Sequence, residues 1–194
     1  MKTLLRSFAL ILFPAASAFA GLLSGPIYNF ANGHTYYLLT SSPWTTSEAE
    51  AISLGGHLVT VNNAAENNFL LSTFSNYGGV ERALWTGLND AAVEGTFVWA
   101  SGEIAAYRNW EAGQPDNGSG FYPSENYVLV WPSPGPRSPG FWNDYIDSNT
   151  FPDMNLNVFG VVEVVPEPSI MGLFTCGLVV GIPISRRCRK SVRG

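Results

Sequence analysis

The sequence predicts an α+β domain, because two segments with helical signals come early in the chain, and short apolar strands with a long loop come late. Thr45 and Glu48 have the spacing of a capping box, and we expect the helix that they open to run to Leu54. Asn63 and Glu66 repeat that spacing at the start of a second helix. The strands that follow do not alternate with helices, which argues against βαβ units.

Strands are predicted where short runs are rich in β-branched, aromatic and other apolar residues. These runs are residues 35–40, 58–61, 84–88, 96–100, 125–131 and 158–165, and residues 141–145 continue an extended path. Residues 101–123 and 132–139 are rich in Gly, Pro, Asn and Ser and are predicted to be loops. The second half of the domain therefore combines strands with long polar connections.

The composition favours a folded, acidic domain. Charged residues and aromatic residues each make up 13% of the chain, so it can bury a core and disorder along its whole length is not expected. Between residues 21 and 185, three arginines and no lysine stand against fifteen acidic residues, a formal charge of −12. Such a domain repels nucleic acid, whose phosphates are bound by Lys and Arg, and suits a cation with oxygen ligands.

Residues 1–20 are typical of a secretory signal peptide. Lys2 and Arg6 precede an apolar centre at residues 8–13, and Ala18-Phe19-Ala20 is a small-residue cleavage site. We expect export and a mature chain that starts at Gly21, with residues 21–165 as the folded domain. The alternative is a buried first helix.

The C-terminal segment, residues 166–194, combines a Pro-Glu-Pro motif, an apolar run at 170–184 and a basic cluster at 186–193. The apolar run is short against the ~20 residues of a spanning helix, and the cations after it fit retention on the cytoplasmic side. The segment resembles the PEP-CTERM sorting signal of bacterial exported proteins. This resemblance implies transient anchoring in the inner membrane and cutting by an exosortase-type enzyme, which leaves the protein secreted or on the cell surface. The alternative is a plain membrane anchor.

Oxygen-bearing side chains are concentrated between residues 114 and 144. Ca²⁺ takes about six to eight oxygen ligands, including amide carbonyls, whereas zinc prefers thiolates and imidazoles, and the only two histidines lie outside this stretch. The other interpretation is a polar, turn-rich loop without a metal. The candidate ligands are Gln114, Asp116, Glu125, Asn143 and Asp144.

Several ordered blocks of the chain resemble the C-type lectin domain, and the resemblance extends over roughly residues 29–165. It implies a C-type lectin-like fold, in which two helices pack on antiparallel sheets beside a long Ca²⁺-binding loop region. The blocks are Trp85-Thr86-Gly87-Leu88, residues 94–99, Asn109-Trp110, residues 113–117, residues 125–128 and Trp142-Asn143-Asp144, and residues 49–58 resemble the family's first helix and strand.

By this resemblance the five candidate ligands bind Ca²⁺ and also contact a sugar through its hydroxyl groups. The order Gln114-Pro115-Asp116 is the family's galactose type. Phe121 and Tyr122 are candidates for stacking on the sugar, with ordinary loop packing as the alternative. The implied function is a non-enzymatic, calcium-dependent carbohydrate-binding module of an exported bacterial surface protein. The alternative is a cell-surface or extracellular-matrix interaction protein that uses the same fold without binding sugar.

A second calcium site of the family is only half present. Asp90 and Glu94 match its first carboxylates, but Asn117 and Asn126 stand where carboxylates are expected. Fewer charges imply weaker binding. Without a metal, Asp90 would be a turn residue and Glu94 a solvated one.

The cysteines depart from the family pattern. Both Cys176 and Cys188 lie in the C-terminal tail, so the domain cannot form an internal disulfide. Ala51, Tyr127 and Val162 stand where the resemblance places half-cystines, and the stretch after Asp144 is longer than in the family. Packing, or a bound ion, must supply the stability, and we expect the tryptophans at 85, 99, 110 and 142 to form the core.

Overall fold

The structure is a computed structural model that describes residues 21–120, 124–133, 135 and 137–166. The predicted signal peptide, the sorting segment from Glu167 onwards, and both Phe121 and Tyr122 lie outside the described residues. No helix within the described ranges is long and apolar enough to cross a membrane. The apolar run at 170–184 is not among those ranges.

The described residues form two α-helices, nine strands and three short 3₁₀ turns, which confirms the α+β class. The helices are α1 (Trp44–Ser53) and α2 (Ala64–Phe74), and the 3₁₀ turns are Tyr77–Gly79, Asn117–Gly120 and Pro152–Met154. The strands are β1 (Leu22–Asn29), β2 (His34–Ser41), β3 (His57–Leu58), β4 (Ala83–Asn89), β5 (Val98–Trp99), β6 (Tyr127–Val130), β7 (Trp142–Tyr145), β8 (Thr150–Phe151) and β9 (Leu156–Val164).

The strands form a sheet in the order β1-β2-β9-β4-β6-β7, with β3 and β8 paired to β9 and β5 paired to β4. All neighbours are antiparallel except β4 and β9, which run parallel with Ala83 opposite Val158. The last strand thus lies in the middle of the sheet, beside the second strand. β7 ends the order, next to the loops that carry the candidate ligands.

Helix α2 begins as predicted. The side chain of Asn63 accepts a hydrogen bond from the amide of Glu66 at 3.0 Å, which satisfies one of the free donors of the first turn. The carboxylate of Glu66 accepts from the amide of Asn62, at 2.8 Å. Asn63 and Glu66 therefore both stabilise the N-terminus of the helix by accepting hydrogen bonds from backbone amides.

The capping box predicted at the start of α1 was wrong. The helix begins at Trp44, so Thr45 lies within its first turn, and its hydroxyl donates to Asp147 at 2.7 Å instead of capping the helix. The carboxylate of Glu48 accepts from the amide of Leu58 at 2.8 Å. These side chains tie α1 to two other parts of the fold.

Two strands were missed and several are shorter than predicted. β1 contains Gly25 and Pro26, which interrupt the strand signal, yet it pairs along β2. β8 is only two residues long and lies in the stretch that follows Asp144. The predicted strands at 58–61 and 96–100 are reduced to two-residue pairs, β3 and β5.

Tryptophan residues fill the core as expected. Trp85, Trp99 and Trp142 are buried, and Trp110 packs edge-on against Trp142 at 6.0 Å between ring centroids. Two of the positions that the family resemblance assigns to half-cystines, Ala51 and Val162, are fully buried in one apolar cluster. The third, Tyr127, stacks on Trp44 at 4.6 Å. Apolar packing therefore occupies the positions where a disulfide would stand.

Candidate functional site

The five candidate ligands lie on neighbouring elements at the β7 edge of the sheet. β6 and β7 are antiparallel with Val128 opposite Asp144, so the start of β6 lies beside the end of β7. The Gln114–Pro115 peptide bond is cis. The loop contributes Gln114 and Asp116, the approach to β6 contributes Glu125, and β7 contributes Asn143 and Asp144.

Three carboxylates converge in this region. Asp116, Glu125 and Asp144 each offer one oxygen, and these oxygens lie within 4.8 Å of one another. Ligands on opposite sides of a Ca²⁺ ion are about 4.6–5.2 Å apart, since each Ca–O distance is about 2.3–2.6 Å. The three oxygens therefore fit within one coordination sphere.

Backbone amides of the loop hold two of these carboxylates in place. Asp144 is buried and accepts from the amides of Asp116 and Asn117, at 3.2 and 2.9 Å. Glu125 is also buried and accepts from the amide of Gly118 at 2.9 Å. The side chains are therefore oriented before any ligand binds.

The buried carboxylates carry an electrostatic cost. Burial, and to a lesser extent the charge of Asp144, raise the pKa of Glu125 to about 7, although the hydrogen bond from Gly118 opposes both effects. Burial also raises the pKa of Asp144, against the effect of the amides that donate to it. A cation at this position would relieve the cost, because an opposite charge nearby favours the ionised carboxylate.

The amide ligands complete an all-oxygen set. The side-chain oxygen of Gln114 is buried and has no hydrogen-bond partner within the described part of the chain. Such an orphaned oxygen is costly unless something binds it, and Ca²⁺ accepts amide oxygens. Asn143 is buried beside it, and its amide nitrogen donates to the carbonyl oxygen of Asp144. The residues present therefore fit Ca²⁺.

The second predicted site is assembled only in part. Asp90 is buried, one of its oxygens accepts from the amide of Gly95 at 2.8 Å, and the other has no partner among the described residues. Glu94 is exposed, and partial desolvation and the charge of Asp90 raise the pKa of its carboxyl. The side-chain oxygen of Asn117 accepts from the amide of Glu125, at 2.8 Å. The backbone carbonyl of Asn126 accepts a hydrogen bond from the amide of Asp90.

Sequence reasoning did not identify the groove in which the site lies. The groove has a volume of about 500 Å³ and is lined by Gln114, Asp116, Glu125 and Asn143 at one end. Its other wall comes from the segment that follows Asp144. The unusual length of that segment was the signal in the sequence that could have revealed it. The remaining lining residues are Gly118, Trp131, Arg137, Tyr145, Ile146, Phe151, Pro152, Asp153 and Met154.

A second group of ionisable residues, also not identified from the sequence, lies apart from the groove. His34 Nδ1 is 2.6 Å from a carboxylate oxygen of Glu163, and the Tyr36 hydroxyl lies 2.6 Å from Glu66 and 2.9 Å from Glu163. The sequence pattern identified Glu66 only as part of a helix cap, and His34 only as one of two histidines outside the metal site. The partners of His34 come from β2, α2 and β9, so no local sequence pattern joins them.

Comparison with known families gives a direct match. The family described as "Lectin C-type domain" matches residues 40–152, more than half of the chain and most of the described fold. The chain belongs to the C-type lectin domain family. The predicted family and fold are therefore confirmed.

Two curated relatives are lectins whose names state a galactose-type specificity. The galactose-specific lectin nattectin of Thalassophryne nattereri is 38% identical over 76 residues, which cover 39% of this chain and 48% of that protein. The alpha-N-acetylgalactosamine-specific lectin of Patiria pectinifera is 37% identical over 98 residues, covering 47% and 58%. The chain thus spans about half the length of these curated relatives.

Solved structures show the same fold. The carbohydrate-recognition domain of the mouse scavenger receptor C-type lectin superposes with a TM-score of 0.54 at 26% identity. The match covers 72% of this chain and 95% of that domain. The described part of this C-type lectin domain therefore corresponds to nearly the whole carbohydrate-recognition domain of that receptor.

Proposed function

We propose that this C-type lectin domain binds carbohydrate in a calcium-dependent manner, with a preference for galactose-type sugars. The observation that carries the proposal is the convergence of three carboxylate oxygens within 4.8 Å, together with the buried oxygen of Gln114, which has no hydrogen-bond partner among the described residues. The galactose-type specificity in the names of both relatives supports the sugar class.

Gln114, Asp116, Glu125, Asn143 and Asp144 hold the ion in this proposal. The bound Ca²⁺ neutralises the carboxylates and offers coordination positions to two neighbouring sugar hydroxyls. The carboxylates accept hydrogen bonds from those hydroxyls, and the amide nitrogens of Gln114 and Asn143 donate to them. The position of each amide and carboxylate therefore selects the pair of hydroxyls that fits.

An enzymatic function is not proposed. The described lining of the groove contains no histidine, cysteine or serine that could act as a base or nucleophile beside the carboxylates. The two relatives reported above are named as lectins. Binding of an ion explains the gathering of three anions more directly than acid–base catalysis does.

The proposal includes export and C-terminal sorting. Residues 1–20 would be removed on export, and residues 166–194 would be handled by an exosortase-type enzyme at the inner membrane, leaving the domain at the cell surface or secreted. The relatives reported above are eukaryotic, so the bacterial sorting signal rests on the residues of the C-terminal segment alone.

A glycan array read with the purified full-length protein tests the function. We expect binding to galactose-terminated glycans in Ca²⁺ and loss of binding in chelator, with Glu125→Gln inactive and the exposed Glu81→Gln unchanged. If the protein binds Ca²⁺ but neither galactose nor mannose at roughly tens of millimolar, which corresponds to a binding free energy weaker than about −3 kcal/mol, the lectin function fails. The interaction-protein alternative then takes its place.

A further inference from the structure

The groove that contains the candidate ligands extends well beyond them. Four of the five predicted ligands line the groove, which is also lined by Tyr145 of β7 and by residues of the segment that follows β7. Its volume of about 500 Å³ lies in the range of sites that enclose ligands of drug size. A single sugar bound through two hydroxyls would fill only the end next to the ion.

The outer wall is held by stacked aromatic rings and by a strand pair. Tyr145 stacks on Phe151 with 3.8 Å between ring centroids, and Phe151 packs against Trp131 with 5.1 Å between ring centroids. The Tyr145 hydroxyl donates to the carbonyl of Thr150 at 3.1 Å. β8 pairs with β9, with Phe151 opposite Leu156. The wall is therefore anchored to the central strand of the sheet.

The wall offers both apolar and charged groups. Ile146 and Met154 are partly buried and line the groove, while Asp153 and Arg137 line it as exposed charges. The Arg137 guanidinium lies 5.9 Å from the ring centroid of Trp131. A pyranose ring has the complementary character, because its C–H face is apolar and its hydroxyls both donate and accept hydrogen bonds.

We propose that this wall binds the sugar unit next to the ion-bound one, so that the ligand class is an oligosaccharide with a galactose-type terminal sugar. The inference rests on the proposed function. It is carried by the continuity of the groove, since Ile146 and Met154 line the same groove as four of the candidate ligands. Asp153 then accepts from that unit's hydroxyls and Arg137 donates to its oxygens.

The affinity gain of a disaccharide over a monosaccharide measures this subsite. Methyl β-galactoside is the monosaccharide probe, and lactose and melibiose present galactose in β and α linkage. Covering about 55 Å² of apolar wall gives roughly a tenfold gain in affinity. We therefore expect one of the two disaccharides to bind the full-length protein in Ca²⁺ about tenfold more tightly than methyl β-galactoside.

Variants connect that gain to the wall. Met154→Ala removes apolar surface from the groove. The ratio of disaccharide affinity to methyl β-galactoside affinity should therefore fall from about ten towards one. Asp153→Asn changes an exposed group, so it tests the wall without risk to the core, and the gain should fall by about threefold. Ile104→Ala is the matched control, because Ile104 is fully exposed and does not line the groove, and it should keep the gain.

The outcomes separate this inference from the function on which it rests. If methyl β-galactoside binds but neither disaccharide gains affinity, or if the gain survives both variants, the wall is not a subsite. If Met154→Ala instead changes the oligomeric state in sedimentation while the gain stays, a second copy of the chain covers the wall and the inference is overturned. If none of the three probes binds in Ca²⁺, the proposed function itself fails and this inference fails with it.

Discussion

The carboxylate of Asp144 accepts a hydrogen bond from the backbone amide of Asn117 at 2.9 Å, which joins β7 to the loop after Pro115. Glu125 makes a similar link to that loop through the amide of Gly118. The side chains proposed to hold the ion are therefore the ones that hold the loop. Ion binding and loop order should be coupled, because a change in either alters the same carboxylates.

The first prediction is that Ca²⁺ stabilises the fold. Binding to the folded state alone adds about 2.7 kcal/mol to the free energy of unfolding when the free ion is at a hundredfold excess over its Kd. Asp144→Asn should remove most of this gain, because it takes away one of three convergent charges. The melting temperature of each protein, measured in Ca²⁺ and in chelator, checks this.

A matched control for this experiment is Glu81→Gln, which removes one negative charge from an exposed residue outside the site. It should keep the full stabilisation by Ca²⁺. A parent melting temperature that is the same in Ca²⁺ and in chelator would show that the carboxylate cluster does not bind the ion.

The second prediction concerns the choice of sugar. The double substitution Gln114→Glu with Asp116→Asn exchanges amide and carboxylate and keeps the number of each. Ca²⁺ affinity should stay within a few-fold, while donor and acceptor change places towards the sugar. Titration in excess Ca²⁺ should then show preference moving from galactose towards mannose.

The control for the exchange is again Glu81→Gln, which should keep the galactose preference of the parent. Equal ratios of galactose to mannose affinity in the parent and the double variant would mean that these two residues do not select the sugar.

The candidate ligands could be identified in the sequence because their motifs are local. Gln114 and Asp116 lie two residues apart, and Asn143 and Asp144 are adjacent, so short patterns identify them. The structure brings Asp116, Glu125 and Asp144 together, and Gln114 and Asn143 line the adjoining groove. These residues could be identified without knowing how distant strands pair in the sheet.

The groove wall could not be predicted because it depends on contacts between distant residues. Phe151 reaches the groove only because β8 pairs with β9, and Trp131 comes from a different part of the chain. The failed cap at Thr45 has the same cause, since its partner Asp147 lies 102 residues away. A local pattern cannot distinguish a hydroxyl that caps a helix from one that bonds across the fold.

The third prediction concerns the chain ends. Protein isolated from its native host should begin near Gly21 and, if sorting occurs, should lack the segment from about Ile170 onwards. Intact mass measurement decides both points. A mass that includes Arg193 and Gly194 would contradict sorting and favour a simple membrane anchor.

The buried group at Tyr36 provides the basis for the fourth prediction. Its hydroxyl lies 2.6 Å from Glu66 and 2.9 Å from Glu163, so two buried carboxylates lie close together around one hydroxyl group. Burial, and to a lesser extent the charge of Glu66, raise the pKa of Glu163 to about 7. Hydrogen bonds from His34, Thr60 and Tyr36 oppose these effects.

The sign of the pH dependence follows from this shift. The usual pKa of a glutamate is about 4.3, so between about pH 4.5 and 7 the folded state keeps a proton that the unfolded state releases. The contribution of Glu163 to stability is therefore complete below about pH 4.5 and is lost as pH rises through 7. Its size is on the order of 1–3 kcal/mol.

Glu163→Gln removes this titration while keeping a hydrogen-bonding side chain beside Tyr36. Urea unfolding in chelator from pH 4.5 to 8 should show the parent losing stability relative to the variant as pH rises, because only the parent must give up its buried proton. Glu81→Gln should follow the parent at every pH. Parallel curves for the parent and Glu163→Gln would mean that Glu163 is already ionised in the folded protein at pH 4.5.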